Sequence, residues 1–386
     1  MHLKLHFILF ISLVVMMTSP VTAIVPSAPE MPAKSYILID HDTGKVLAEK
    51  NADMLIAPSS LTKMMTSYVL SEAVASGRFS YDDIVVVSEN AWAKKFPDSS
   101  KMFIEVGDEV TLRELKRGVV IASGNDACVA VAEHLAGTED AFVQLMNATA
   151  KRLGMTSTHF ENSHGLSHPD HLTTARDMAL LSQALIRDYP DDYEVNKEKE
   201  FAYNNITQYN RNSLLWDRSL NVDGIKTGHT EAGGYALIAS ATEGSMRLIS
   251  VVMGSDTKQS RKRENKQLLN FGFRFYETFE PIQPGQVIHT ERVWYGDKPQ
   301  LKLGLGEPVL ITVPRGSKNK LKANYELADR IEAPLNKGQT VGTVFFELDG
   351  EVQLELPLVA LETVEEGGMW SQFTDYISLQ MDDLFD

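Results

Sequence analysis

Short runs of apolar residues near the N-terminus predict the first two strands of the chain. Residues 36–40 and 45–49 flank Asp42-Thr43-Gly44, a sequence typical of a tight turn between antiparallel strands. Three further strand-like runs lie close enough in sequence to form an antiparallel meander. They span residues 224–227, 235–241 and 246–253. We expect the hairpin and the meander to share one sheet.

Between these two groups of strands, apolar residues recur with helical spacing. Thr111 and Glu114 have the spacing of a capping box, in which each side chain accepts a hydrogen bond from a backbone N–H of the first turn. Other helices are predicted to end at Gly77, at Gly154 or before Pro190. The predicted helices cover residues 61–76, 112 onward, 139–153, 175–189 and 261–278. A helical insertion between the strands of one antiparallel sheet is an α+β fold.

After residue 278 the pattern changes to short alternating runs. Pro281 and Pro284 come first, and Asp349-Gly350 is a strong hairpin turn signal between two of the runs. The runs cover residues 287–294, 301–305, 309–313, 345–348 and 352–354. We therefore predict a small all-β domain over residues 279–365, with a spacer or partner-docking role.

The tail, residues 366–386, has apolar residues at the spacing of an amphipathic helix. They are Trp370, Phe373, Ile377, Met381 and Leu384. The same segment contains Asp375, Asp382, Asp383 and Asp386 but no Lys or Arg, so an anionic bilayer would repel it. Peripheral membrane contact through this helix and docking onto protein both remain open.

Composition bounds the size of the protein and the class of its partners. With 386 residues, of which 43% are hydrophobic, the chain can fill two cores, and we expect a large and a smaller domain. The formal net charge of −15 argues against a nucleic-acid partner, because phosphate binding needs a basic surface.

The N-terminal residues have the pattern of a secretory signal. Lys4 precedes an apolar run over residues 7–17, and small residues favour cleavage after Ala23. A retained anchor is the alternative, although the run is short for a membrane span. We predict residues 1–23 to be a signal peptide and the protein to be exported to the periplasm. The single cysteine, Cys128, excludes an intramolecular disulfide and is predicted to be a buried structural thiol.

Three short fragments occur in one order and together supply the parts of an acyl-transfer enzyme. They are Ser60-Leu61-Thr62-Lys63, Ser123-Gly124-Asn125 and Lys226-Thr227-Gly228. Singly they are weak signals, since S-x-x-K spacing recurs at Ser255 and at Ser317. The ordered set is the specific observation.

Each fragment has a chemical interpretation. Ser60 and Lys63 fall one helical turn apart, so the lysine amine can reach the hydroxyl and activate it as a nucleophile. For this the amine must be neutral near pH 7, through burial or through a neighbouring cation such as Lys226. Ser123 can relay the proton to the leaving amine, and Asn125 can hold a substrate amide.

The third fragment predicts a binding edge for an extended peptide. Lys226 supplies a positive charge for a substrate carboxylate and Thr227 a hydroxyl, while Gly228 lets the substrate approach the backbone closely.

From the hairpin near Tyr36 to the tail, the chain resembles the penicillin-binding D-alanyl-D-alanine carboxypeptidases. Residues 58–66, 123–128 and 221–230 carry this likeness. The resemblance implies a β-lactamase/transpeptidase-like catalytic domain over residues 30–278, followed by the all-β domain and the helical tail. The acidic tail departs from the family pattern, because in many relatives this segment is basic and amphipathic.

The same resemblance implies a reaction and roles for further residues. Ser60 would attack the carbonyl between the two terminal D-alanines of a peptidoglycan pentapeptide, release D-alanine and leave an acyl-enzyme that water hydrolyses. The backbone N–H groups of Ser60 and His229 would form the oxyanion hole, and Arg261 would be a second carboxylate-binding cation. β-Lactam antibiotics would acylate Ser60. No cofactor and no metal is expected.

Three rival functions remain. A serine β-lactamase-like hydrolase shares the motifs, but its Glu-x-x-Leu-Asn segment is matched only by residues 200–204, with tyrosine in place of leucine. A metal-dependent peptidase is suggested by clustered residues in one loop, without an H-E-x-x-H helix. These are His164, His168, Asp170 and His171. The third rival is a wall-associated scaffold that binds peptide without cleaving it.

Overall fold

The computed structural model describes residues 25–385, so the predicted signal peptide lies outside the described residues. The strands are β1 (Ser35–Asp40), β2 (Val46–Lys50), β3 (Ile84–Val86), β4 (Glu109–Thr111), β5 (Glu200–Tyr203), β6 (Ile206–Tyr209), β7 (Asn221–Thr230), β8 (Gly234–Glu243), β9 (Met246–Ser255), β10 (Tyr276–Phe279), β11 (His289–Arg292), β12 (Gln300–Gly304), β13 (Ile311–Pro314), β14 (Lys322–Leu327), β15 (Thr340–Leu348) and β16 (Glu351–Ala360).

The helices follow the same chain order. They are α1 (Lys63–Ala75), α2 (Leu112–Arg117), α3 (Asn125–Ala136), α4 (Glu139–Arg152), α5 (Ala175–Asp188), α6 (Pro190–Tyr193), α7 (Lys258–Phe275) and α8 (Met369–Phe385). The predicted capping box at the start of α2 is present, with Thr111 and Glu114 bonded reciprocally.

The hairpin and the meander share one five-stranded antiparallel sheet, as predicted. Its strand order is β2-β1-β9-β8-β7, so the last strand of the meander pairs with the first strand of the chain. Helices α1 to α6 are inserted between β2 and β7. The predicted α+β class is therefore confirmed, and the pairing of β1 with β9 brings residues from both ends of this domain together.

Side-chain alternation along β1 divides the interior into two layers. Ile37 and Ile39 pack with the inserted helices on one face of the sheet, whereas Leu38 packs with Leu268 and Leu269 of α7 on the other. All five side chains are almost completely buried. Burial of an aliphatic side chain of this size contributes ~1.5–3 kcal/mol. The sheet is the middle layer between two layers of helix.

One predicted helix has different boundaries. The helix expected over residues 261–278 begins at Lys258 and ends at Phe275. Its start is set by Thr257, whose side chain accepts a hydrogen bond from the Ser260 backbone N–H. The last predicted turn is instead part of β10, because those residues pair with β13.

The region after α7 is all-β, with a five-stranded antiparallel sheet in the order β11-β12-β16-β15-β14. Asp349 and Gly350 both have positive φ and form the predicted turn between β15 and β16. Strand β14 was not predicted, because it is largely exposed and lacks the alternating apolar pattern. The predicted boundary at residue 279 falls on the last residue of β10.

The β1–β2 turn contacts the all-β region directly. The buried Asp40 carboxylate accepts a hydrogen bond of 2.6 Å from the Thr278 hydroxyl. The Thr43 and Thr312 hydroxyls lie 2.7 Å apart, and the Lys45 ammonium group donates to the Thr312 carbonyl at 3.0 Å. These polar contacts fix the all-β region to the edge of the central sheet.

The predicted C-terminal helix is present as α8. Asp375 attaches it to the all-β region by accepting hydrogen bonds from the Arg292 guanidinium (3.0 Å) and the Tyr295 backbone N–H (2.7 Å). Trp370 and Phe373 of its apolar stripe are 80% and 55% exposed. Within residues 25–385, no helix combines the length and the apolar character that a membrane crossing requires.

Candidate active site

Ser60 and Lys63 lie at the start of the first inserted helix. Ser60 belongs to a 3₁₀ turn, Ser59–Thr62, and Lys63 is the first residue of α1. The Lys63 Nζ and Ser60 Oγ atoms are 3.3 Å apart. The one-turn spacing therefore brings the amine to the hydroxyl.

The Lys63 side chain is only 1% exposed and is held by two further oxygen atoms. Its Nζ donates to the Asn125 side-chain oxygen at 2.7 Å and to the His164 carbonyl at 2.5 Å. The pKa of Lys63 is lowered to about 8, mainly by burial, and the Arg211 cation acts in the same direction. Lys226, the cation named from the sequence, is also a neighbour, because the Lys63 charge helps to lower its pKa. A neutral amine is accessible near physiological pH, as a general base requires.

Ser123 and Lys226 form a second hydroxyl–amine pair. The Lys226 Nζ donates to the Ser123 Oγ at 2.8 Å, and both residues are buried. Burial lowers the pKa of Lys226 well below its usual value, and the nearby Lys63 and Arg211 act in the same direction. Ser123 has a left-handed backbone (φ 59°) after a π-helical turn, Gly118–Ala122, a strained conformation for a non-glycine residue that is enriched at functional sites.

Asn125 connects the Ser60–Lys63 pair to the loop that contains Ser99. Its side-chain nitrogen donates to the Ser99 hydroxyl at 3.0 Å, while its oxygen accepts from Lys63. The next residue, Asp126, is fully buried and accepts hydrogen bonds from the backbone N–H groups of residues 102–104. Sequence analysis missed this role, because nothing local links Asp126 to a loop more than 20 residues away.

Strand β7 forms one side of the site. A side chain on Gly228 would place its Cβ 2.3 Å from the Ser59 Oγ, so only glycine fits this close approach of β7 to the Ser60 turn. Thr227 is buried, and the exposed His229 ring stacks on Tyr235 with 3.9 Å between ring centroids.

Arg261 reaches the same strand from α7. Its guanidinium donates to the backbone carbonyls of Gly228 (2.8 Å) and Ala236 (3.2 Å) and is buried. Arg261 lines the cleft, whereas the basic residues that follow it, Lys262 and Arg263, do not.

These elements enclose a cleft of about 740 Å³. Seven of the predicted catalytic and substrate-binding residues line it, and so does His164: the seven are Ser60, Ser123, Asn125, Thr227, Gly228, His229 and Arg261. Lys63 and Lys226 lie beneath its surface, each bonded to one of the lining serines. Other lining residues were not predicted, because they belong to none of the three fragments. They include Asp98, Ser99, Ser100, Arg211 and Lys258.

The residues that suggested a metal peptidase divide into a buried pair and an exposed pair, and the exposed His168 and Asp170 group with Glu161, with ligand atoms within 4.8 Å of one another. His164 is buried, and burial lowers its pKa to about 3. His171 is also buried and lies 2.8 Å from the Thr62 hydroxyl, with its pKa lowered to about 4 mainly by burial. His168 and Asp170 are exposed. The buried pair therefore supports the Ser60 turn and the Lys63 contact.

Neither Cys128 nor Glu200 is placed to take part in catalysis. Cys128 is buried, its thiol donates to the Gly124 carbonyl at 3.1 Å, and burial raises its pKa to about 12, as expected of a structural thiol. Glu200 lies on β5 and does not line the cleft, where the one lining carboxylate within residues 25–385 is Asp98.

The chain matches two families of known sequences in succession. Residues 22–257 match the D-alanyl-D-alanine carboxypeptidase family, Peptidase_S11, and residues 276–366 match the C-terminal domain of penicillin-binding protein 5. The chain is 51% identical over 363 residues to the D-alanyl-D-alanine carboxypeptidase DacA of Escherichia coli strain K12, covering 93% of this chain and 90% of that protein.

Solved structures give the same relationship. Penicillin-binding protein 5 from Haemophilus influenzae is 45% identical and has a TM-score of 0.84, with 88% of this chain and 100% of that chain covered. Penicillin-binding protein D2 from Listeria monocytogenes, in its ampicillin-bound form, is 27% identical with a TM-score of 0.58. That match covers 64% of this chain and 100% of the Listeria chain.

Proposed function

Because this chain belongs to the D-alanyl-D-alanine carboxypeptidase family, we propose that it removes the terminal D-alanine from peptidoglycan pentapeptide stems through an acyl-enzyme on Ser60. The observation that carries the proposal is the 3.3 Å separation of the Lys63 Nζ and Ser60 Oγ atoms. The Ser60–Lys63 pair belongs to the same cleft as the Ser123–Lys226 pair.

Acylation begins with proton transfer. Neutral Lys63 takes the proton of the Ser60 hydroxyl while the oxygen forms a bond to the carbonyl carbon between the two D-alanines. The carbonyl oxygen gains the negative charge, which the backbone N–H groups of Ser60 and His229 stabilise by family similarity. The lowered pKa of Lys63 supports this role, because an ammonium group cannot accept a proton.

Collapse of the tetrahedral intermediate breaks the peptide bond. Ser123 passes a proton to the departing amine, so that D-alanine leaves with a complete amino group. Ser123 is then reprotonated from the two lysines, Lys63 and Lys226. The 2.8 Å contact between Lys226 and the Ser123 hydroxyl supports this relay. Water then attacks the ester, and Ser60 recovers its proton as the shortened peptide is released.

Substrate binding uses the edge of β7. The stem peptide lies extended along Lys226-Thr227-Gly228, with its terminal carboxylate near the Thr227 hydroxyl and the cations Lys226 and Arg261. Asn125 holds a substrate amide. β-Lactams imitate the terminal dipeptide and acylate the same Ser60. The ampicillin-bound form of the Listeria relative supports this part of the proposal.

The proposal extends to the setting of the enzyme. Residues 1–23 direct export and are removed, residues 30–278 carry the reaction in the periplasm, and residues 279–365 space this domain from its attachment. The tail, residues 366–386, makes a peripheral contact with the outer face of the inner membrane through the exposed stripe of α8. Its aspartates favour a surface of low negative charge.

Release of D-alanine from a pentapeptide tests the proposal. Wild-type protein is expected to release D-alanine, and Ser60→Ala to release none above background. Ser317→Ala, which removes the serine of another S-x-x-K spacing, serves as the matched control and should keep its activity. Release by Ser60→Ala would overturn the proposal. Rapid steady turnover of penicillin by the wild type would instead favour a β-lactamase-like hydrolase.

A further inference from the structure

The cleft has an excess of positive charge in a protein that is strongly acidic overall. Three cationic side chains line it, Arg211, Lys258 and Arg261, against the single carboxylate of Asp98 within the described chain. The whole sequence has a formal net charge of −15. Clefts lined by one sign of charge concentrate ligands of the opposite sign. The lining therefore favours substrates that carry more than one negative charge.

Two of these cations have partners in the protein. The Arg211 guanidinium donates to the Ser100 hydroxyl, and that of Arg261 donates to the backbone carbonyls of Gly228 and Ala236. Lys258 differs from both. It is exposed, and its ammonium group has no hydrogen-bond or ion-pair partner among residues 25–385. This lysine is the lining cation that is available to a ligand without breaking an existing contact.

The position of Lys258 indicates which part of the substrate it faces. It is the first residue of α7 and precedes Arg261 by three residues, so the two side chains lie one turn apart on one face. Arg261 contacts the Gly228 carbonyl, at the end of the fragment where the substrate's terminal carboxylate is proposed to bind. Lys258 therefore lies on the side of the cleft where the substrate's terminal, leaving residue is proposed to bind.

We propose that Lys258 is a specificity-determining residue that favours substrates whose leaving residue carries a second carboxylate. The inference rests on the proposed function, because it assumes that the terminal carboxylate binds near Arg261. The methyl group of a leaving D-alanine offers nothing for an ammonium group to bind. A longer leaving residue with a side-chain carboxylate, such as an acidic D-amino acid or a cross-linked residue with a free carboxylate, offers an ion pair.

The test compares two isosteric leaving residues that differ in charge. The kcat/KM of an acyl-D-alanyl-D-glutamate is divided by that of the corresponding D-glutamine substrate. In Lys258→Met this ratio is expected to fall about 1.4- to fivefold, which is the range for an exposed ion pair. Lys258→Glu should lower it further. High salt should reduce the difference between wild type and Lys258→Met, because screening weakens exposed charge pairs.

The control is Lys262→Met, which removes the same charge from the same helix at a position outside the cleft lining. Its ratio should equal that of the wild type. An unchanged ratio in Lys258→Met, or an equal fall in Lys262→Met, would overturn the inference. Penicillin labelling of every variant verifies that the active site is intact. Failure of the proposed function is distinct: the wild type would then release neither leaving residue, and both proposals would fall.

Discussion

At the residue scale, the chemistry depends on two buried lysines that each contact a serine hydroxyl. The predicted contact between Ser60 and Lys63 is present, because residues three apart on a helix lie one turn apart on the same face. The other partners of Lys63 were not predictable. The His164 carbonyl is 101 residues away in sequence, and no local pattern encodes that contact.

The pH dependence of Ser60 acylation should follow the ionisation of Lys63. Burial lowers its pKa from 10.5 to about 8, so the amine is mostly protonated below that pH and mostly neutral above it. The acylation rate by a β-lactam is therefore expected to rise with pH and to reach half of its plateau near pH 8. Stopped-flow measurement between pH 6 and 9.5, with circular dichroism as a control for folding, checks this. A rate independent of pH would contradict the role of Lys63 as base.

At the element scale, the site depends on the contact of β7 with the Ser60 turn. Strand β1 pairs with β9, and β8 pairs with both β9 and β7. These pairings place Lys226 in the same sheet as the early hairpin. The hairpin at Asp349-Gly350 was predictable because its turn signal is local. The end of α7 was not, because Tyr276 to Phe279 leave the helix in order to pair with β13, more than 30 residues later.

Gly228→Ala tests that contact. The new methyl group would lie 2.3 Å from the Ser59 Oγ and 3.2 Å from the Pro58 carbonyl oxygen, so the Ser59 hydroxyl, the Ser60 turn or β7 must shift. A displacement of about 1 Å in a catalytic site can cost about 100-fold in rate, and we expect a fall of that order in Ser60 acylation.

Gly306→Ala is the matched control for this substitution. Its new Cβ would meet only the Val359 side chain, at 3.4 Å, and acylation should stay at the wild-type rate. Equal rates for Gly228→Ala and the wild type would show that the close approach of β7 is not needed.

At the scale of the whole molecule, the all-β region is fixed to the catalytic region by polar contacts outside the cleft. Asp40, Thr43 and Lys45 of the β1–β2 turn make these contacts, and none of them lines the site. The sequence indicated both regions through the change in hydrophobic pattern near residue 279. It did not indicate which surfaces meet, because that depends on side chains more than 200 residues apart.

Lys45→Met should lower the stability of the protein without changing its catalysis. It removes hydrogen bonds of 3.0 Å to the Thr312 carbonyl and to the Gln353 side chain. Each bond contributes ~0.5–1.5 kcal/mol, so we expect urea denaturation to show a free energy of unfolding lower by about 1–3 kcal/mol. Ser60 acylation should be unchanged. Lys151→Met, at an exposed position of α4, is the control and should leave both quantities unaltered. A slower acylation of folded Lys45→Met would show that the junction influences the cleft.

The most direct test of the account is the site of penicillin attachment. Protein treated with benzylpenicillin is digested, and the modified peptide is identified by mass spectrometry. We expect a single adduct on Ser60, absent in Ser60→Ala, because Ser60 is the lining serine whose hydroxyl lies within reach of the Lys63 amine. An adduct on Ser123 or on any other serine, or labelling that persists in Ser60→Ala, would contradict it.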